Sequence, residues 1–363
     1  TEIFLKEIID NIINVSDSKK DIFFTIILDD NPNAFVNEDN RIYISTGLLK
    51  YSESYEAVIG VMAHEIGHIN KFHISKRKDL GKNLKNLNTL GNISLLAAAL
   101  VGNSDFIFGS IATNQINIQN YYQSFSRDQE READYFAVEI LNKLKLSKQP
   151  LINFLNLLEK KSLQKGIEEY YYKFSSHPIY KERYEIIRYS DINSEEVYNR
   201  LLDMRFNSIK AKLFGFTEDK EEIIDQYLKN DFHKYAKSIL LSKKGRLKES
   251  MEILNTLIRT DKNNIFLLET KADLLFSNGF IKQSLLFYEK IYKINKKNHY
   301  INKKIFDIKF ITTDITNKEI SKKLFNDFLY LNEIFLENID LNNKYKRLLK
   351  KNDNEIWFNY FSL

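Results

Sequence analysis

The sequence predicts two domains of different class: an α+β domain over residues 1–190, with helices around a small β-sheet, then an all-α domain of helical repeats over residues 191–363. Three observations predict this. Two short β-branched and aromatic runs, Ile22–Leu28 and Arg41–Ser45, precede a buried helix. That helix carries His64-Glu65-Ile66-Gly67-His68, an HExxH sequence. From about Tyr235 the chain repeats itself with a period of 34 residues.

Taken in order, Ile22–Leu28 reads as a strand, and Asn37-Glu38-Asp39-Asn40 reads as a turn joining Asn33–Val36 to the strand Arg41–Ser45. Ser52 and Ser54 are both able to cap a helix, and Glu53 and Glu56 lie in a favourable first turn, so a helix is expected to run to about Lys76. Projected at about 100° per residue, Val58, Ile59, Val61, Met62, Ala63, Ile66 and Ile69 cover most of its circumference, which marks a buried helix. The narrow sector around His64 and His68 holds Ala57, Gly60 and Gly67, small residues that leave space for another element or for a substrate.

Two imidazoles four positions apart lie on one helical face, as two ligands of one tetrahedral zinc require. Glu65 beside them can take a proton from a metal-bound water. His73 projects about 180° from the pair and reads as a structural or surface histidine rather than a ligand. The chain has no cysteine, so a metal site must use histidine and carboxylate, and disulfides are excluded.

A third ligand is sought in Ser126-Arg127-Asp128-Gln129-Glu130-Arg131-Glu132-Ala133-Asp134. Ala133, Phe136, Ala137, Ile140, Leu141 and Leu144 define the buried stripe of a second helix. Glu130 and Asp134, one turn apart, project onto one edge of that stripe, and Glu132 projects to its back. Carboxylates on a buried edge need cations or hydrogen-bond donors. Glu130 is therefore the candidate ligand and Asp134 a group that orients a ligand histidine. The competing reading is a solvated helix end whose Glu and Arg residues pair with one another.

Between these helices, Asn86–Ser126 contains one charged residue, Asp105, but its best apolar run, Leu95–Val101, is only seven residues long. That is too short to span a bilayer. The stretch reads either as a packed helical hairpin or as a flap facing a membrane surface or a substrate. The net charge of +5 comes from 54 basic and 49 acidic residues mixed along the chain, so no nucleic-acid partner is expected. The chain opens at Thr1 without a basic and apolar leader, which reads as a signal peptide already removed or a trimmed start.

In the second half, Gly245 and Gly279, Ser250 and Ser284, Asp261 and Asn295, and Asn264 and Asn298 are each 34 residues apart, the period of the tetratricopeptide repeat. Tyr235–Lys244 and Leu247–Arg259 are expected to form one helix pair, and Leu268–Ser277 and Ile281–Ile294 the next. Repeats of this kind cannot close a core alone. Asp191–Leu228 and Ile301–Leu363 look helical, depart from the period, and are expected to act as caps.

With these residues in hand, the chain resembles the HtpX and BepA type of zinc metallopeptidase, peptidase family M48, among the gluzincins. The matching pieces are Asn33-Ala34-Phe35 with Arg41 to Leu49, then His64 to His68, then Ser126-Arg127 with Glu130 and Ala133-Asp134, and finally Ser176-His177-Pro178 with Arg183. The resemblance implies a zincin-like fold for the first domain and one zinc ion per chain held by His64, His68 and Glu130. It implies Glu65 as general base, Asp134 as support for the ligands, and His177 and Arg183 over the metal, where the histidine either stabilises the oxyanion or closes on the zinc. An extended peptide substrate would pair with a free sheet edge at Arg41–Ser45 or Asn33–Val36. The implied function is an endopeptidase acting on unfolded or misassembled proteins in a Gram-negative periplasm, its repeats meeting clients or outer-membrane assembly machinery. The alternative is a repeat-based chaperone or adaptor with a latent or structural zinc site.

Overall fold

The computed structural model describes residues 1–16, 18, 20–37, 39–71, 73, 125, 127–164, 177, 181–189 and 197–313, and beyond those 319, 322–324, 326, 327, 331, 343 and 344. The Asn86–Ser126 stretch, apart from Phe125, lies outside the described residues, so neither reading of it is tested. The chain divides into two compact units, Thr1–Leu213 and Phe214–Leu363.

The first unit opens with α1 (Glu2–Ser16), whose apolar residues at helical spacing, Phe4, Leu5, Ile8, Ile9 and Ile12, are all buried. The strands β1 (Phe23–Ile27), β2 (Ala34–Val36) and β3 (Arg41–Ser45) form one sheet in the order β1-β3-β2. β3 runs parallel to β1, with Phe23 opposite Arg41, and antiparallel to β2, with Ala34 opposite Ile44. Asn37 builds the β2–β3 turn: its side-chain oxygen accepts from the Asp39 and Arg41 amides at 3.1 and 3.2 Å, and Asn40 takes a positive φ of 53°.

This topology corrects one expectation. Arg41–Ser45 is the central strand and not a free edge, because β1 pairs along its other side. Among the described residues β2 keeps an open side. Asn33 and Asn37 face β3, accepting from Ser45 N and donating to Arg41 O at 3.0 and 3.1 Å. By antiparallel alternation the backbone groups of Ala34 and Val36 then point outward.

Ser45 ends β3 and caps α2 (Thr46–Tyr51), accepting from the Leu48 amide at 3.0 Å. α3 (Tyr55–Asn70) is buried on almost every side, as its continuous apolar pattern predicts. α4 (Arg127–Lys143) and α5 (Gln149–Gln164) pack on it, and the small-residue sector receives them. A Cβ on Gly67 would stand 3.1 Å from Ala133 Cα of α4, and one on Gly60 3.1 Å from the Leu151 side chain of α5. α6 (Lys181–Tyr189) and α7 (Arg200–Thr217) follow, and the division between the units falls within α7.

Most of α7, through Leu213, belongs to this unit for visible reasons. Phe206 is buried with its ring 6.2 Å from that of Phe4, and Arg205 pairs with Glu7 at 2.6 Å. Lys210 is buried too, and its ammonium donates to the Ser52 carbonyl at 2.9 Å. Burial pulls the Lys210 pKa down to about 8 against the opposing pull of Glu53 and Asp203. Between that value and the ordinary lysine range the unfolded chain holds a proton that the folded chain has lost, so stability rises with pH across the window. From this group the unit is expected to gain about 2 kcal/mol between about pH 8 and pH 10. Lys210→Met should abolish that gain in paired urea titrations.

The second unit continues with α8 (Glu221–Tyr227), α9 (Asn230–Lys243), α10 (Leu247–Thr260), α11 (Ile265–Ser277), α12 (Ile281–Ile294) and α13 (His299–Thr312). Helices stand where the 34-residue spacing puts them, although α9 and α11 begin earlier than expected, at Asn230 and Ile265. Equivalent residues do equivalent work. Gly245 and Gly279 turn the chain at φ of 77° and 85°, values that side chains resist. Asn264 and Asn298 cap the next helices, each accepting a backbone amide at 3.3 Å. Leu268, Ala272, Tyr288, Ile291, Ile301, Ile305 and Ile308 form a shared core, so α13 closes the second helix pair. Among the described residues no helix is long and apolar enough to cross a membrane.

Candidate active site

The site grows from the packing of α4 on α3. The absence of a side chain at Gly67 brings the α4 backbone close to α3, and the helix edge bearing Glu130 and Asp134 comes to lie over the two histidines. His64, Glu65, His68, Glu130, Asp134 and Arg183 are all buried.

Four side chains converge. His64 Nε2 lies 3.0 Å from His68 Nε2, and each lies 3.4 Å from a Glu130 oxygen. His177 Nδ1 lies 3.3 Å from His64 Nε2 and 3.1 Å from Glu130 Oε1. Zinc bonds of about 2.0–2.2 Å place the corners of a tetrahedral shell about 3.3–3.6 Å apart. The five spacings lie between 3.0 and 3.4 Å, at or slightly inside those edges, and His64, His68, Glu130 and His177 form a group able to hold a metal ion.

Charge supports the same reading. Glu65, Glu130 and Asp134 bring three buried carboxylates against the buried guanidinium of Arg183, an imbalance that a divalent cation would offset. Burial works against the Glu130 carboxylate, but Arg183, His177 and His64 outweigh it and hold its pKa well below the usual range. Burial likewise holds His68 well below the usual histidine range, which keeps its imidazole neutral, as a metal ligand must be. At His64, burial and Arg183 are outweighed by Asp134 and Glu130, which raise its pKa by drawing positive charge to the imidazole, a charge that a bound metal ion would supply in place of the proton. Burial, reinforced by Glu130, raises the Glu65 carboxyl to about 7 against the pull of His177 and Arg183. Glu65 Oε2 is buried and meets no hydrogen-bond donor among the described residues, while Oε1 lies 3.3 Å from His177 Nε2.

Behind the donors, Asp134 Oδ1 lies 2.8 Å from His64 Nδ1. Arg183 donates to both Asp134 oxygens, from Nε at 2.7 Å and Nη2 at 2.8 Å, and its Nη1 lies 2.9 Å from Glu130 Oε2. The guanidinium thus lies against the carboxylates, whereas His177 stands at the fourth corner of the donor group.

Sequence reasoning missed two members. It set His73 aside as pointing away and Glu132 as lying at the back of its helix. The reading of His73 as structural rather than a ligand agrees with its place outside the four-donor group, but its projected direction is corrected: His73 is buried beside the pair, its Nδ1 2.9 Å from His68 Nδ1 and its Nε2 2.9 Å from Glu132 Oε2. The projection fails because α3 is described only to Asn70, with Lys71 as its C-cap, so His73 lies past the end of the helix. The available signal was clustering, since three of the six histidines fall between His64 and His73.

An HExxH helix completed by a glutamate from a second helix is the arrangement of a gluzincin-type metallopeptidase site. The chain belongs to peptidase family M48, whose model matches residues 2–191. It is 21% identical over 313 residues to the Beta-barrel assembly-enhancing protease of Yersinia pestis, covering 79% of this chain and 62% of that protein. Against the protein of the same name from Escherichia coli O157:H7 it is 23% identical over 280 residues, covering 70% and 54%. Against the Metalloprotease YcaL of Escherichia coli (strain K12) it is 28% identical over 166 residues, covering 46% and 60%. The chain therefore spans a little over half the length of these relatives.

Proposed function

We propose that this protein is a zinc-dependent endopeptidase that hydrolyses unfolded or misassembled proteins, with His64, His68 and Glu130 as the resident ligands. The observation that carries the reading is the set of four donors close enough together to share one metal ion, with a buried carboxylate beside it that is not one of them. When bound, zinc supplies Lewis acidity, polarising a carbonyl and acidifying a water. Glu65 takes the proton from the attacking water and hands it to the leaving amine. Asp134 holds His64 through Nδ1, and Arg183 holds Asp134 and Glu130. The open side of β2 pairs with the extended substrate, which reads backbone and tolerates many sequences.

The helical unit acts as a tetratricopeptide-type platform for clients or an assembly machine. The names of the relatives and the resemblance support envelope quality control, in a Gram-negative periplasm and on outer-membrane proteins. The direct test is cleavage of unfolded casein by the zinc-loaded chain. Cleavage is expected to vanish on chelation and return with zinc, and a chain that cleaves equally well without metal would defeat the reading.

One observation favours a latent form of the same enzyme. His177 Nδ1 occupies a corner of the donor group, where a catalytic site keeps a position for water. His177→Ala is expected to raise casein turnover severalfold. A fall in turnover instead would assign the histidine to transition-state stabilisation, and an unchanged rate would remove it from both roles.

A further inference from the structure

We propose that His73 and Glu132 form a positioning relay that fixes His68 for the metal, an inference that rests on the metal reading above. His68 presents Nε2 to the donor group, 3.0 Å from His64 Nε2 and 3.4 Å from Glu130 Oε1. A neutral imidazole that offers its Nε2 lone pair carries its proton on Nδ1. That proton faces His73 Nδ1 at 2.9 Å, so His73 Nδ1 accepts. His73 then carries its own proton on Nε2 and donates it to Glu132 Oε2, also at 2.9 Å. A carboxylate can only accept, so the acid at the end of the chain fixes both tautomers in one direction. Phe125 holds the ring from the side, stacked on His68 with centroids 3.7 Å apart and planes 17° apart.

The other ligand histidine is served in the same way by different residues. His64 Nδ1 meets Asp134, which Arg183 grips. The two HExxH imidazoles therefore each have an outer partner ending in a carboxylate, direct for His64 and through a second imidazole for His68. A ligand imidazole usually donates its other N–H to a carboxylate, a backbone carbonyl or a water. A neutral histidine takes that place here, and it can accept because Glu132 occupies its far nitrogen.

The exposure of Glu132 makes the relay testable without dismantling the fold: its side chain is 50% exposed, whereas His73 is fully buried. The experiment measures zinc affinity of the full chain by competition with a chromophoric chelator, together with the visible spectrum of the cobalt-substituted protein and the melting of the zinc-free chain. Glu132→Ala is expected to weaken zinc binding about 10-fold or more, shift the cobalt bands, and leave zinc-free melting unchanged. Glu132→Gln keeps an oxygen that accepts from His73 and should lose less. His73→Ala should lose at least as much as Glu132→Ala. Zinc affinity of Glu132→Ala within twofold of wild type, or a loss matched by lower zinc-free melting, would overturn the relay. A wild-type chain that takes up no zinc would overturn the metal reading, and the relay with it.

Discussion

Glu65→Gln is expected to slow casein cleavage by about 10²–10⁴-fold while zinc stays bound at one ion per chain. The change is nearly isosteric and keeps the buried volume filled, but an amide cannot accept the proton of the attacking water. Zinc retention follows from geometry, since Glu65 lies beside the four donors and is not one of them. Its neighbours suit a base: one oxygen faces His177 Nε2 at 3.3 Å, and the other is buried without a donor among the described residues. Turnover and metal content measured on the same preparations decide the matter. Equal rates for the two proteins, or metal lost along with activity, would remove Glu65 from that role.

How much of this was legible in the sequence depended on how local each feature is. The helix bearing HExxH and the turn at Asn37 are set by neighbouring residues, and both are present, although Ser54, one of the two serines expected to cap that helix, stands at its N-cap without a side-chain capping bond. The 34-residue spacing located the helices of the second unit because Gly245 and Gly279 turn the chain and Asn264 and Asn298 cap it at matched positions. Strand order is not local. Nothing in Ile22–Leu28 announces that β1 pairs parallel to β3, and this long-range pairing makes Arg41–Ser45 central.

The site divides along the same line. Periodicity placed His64 and His68 on one face of α3 and Glu130 and Asp134 on one buried edge of α4, and the structure brings all four together. A projection holds only while the helix lasts, which is why His73 escaped it. Glu132 escaped for another reason: a half-exposed carboxylate at the back of a helix carries no mark of the histidine that reaches it. His177 and Arg183 came from resemblance alone, since a His-Pro turn and a lone arginine have no periodicity to read.

Arg183→Met is expected to destabilise the zinc-free first unit by about 3–5 kcal/mol. The guanidinium is buried, grips both Asp134 oxygens and reaches Glu130 at 2.9 Å. Removing it strands two carboxylates whose pKa values it holds down against burial. Methionine fills much of the same volume, so the loss would report charge rather than packing. Zinc would return part of the missing positive charge, so the penalty should be smaller in the zinc-loaded chain. Arg183→Lys should fall between the two, keeping a cation but not the two-pronged grip on Asp134. Hydrogen exchange at the α3 and α4 amides, with and without zinc, reads this in the first unit alone. A residue acting only on the transition state would lower turnover and leave exchange untouched, and that result would put Arg183 over the substrate rather than behind the ligands.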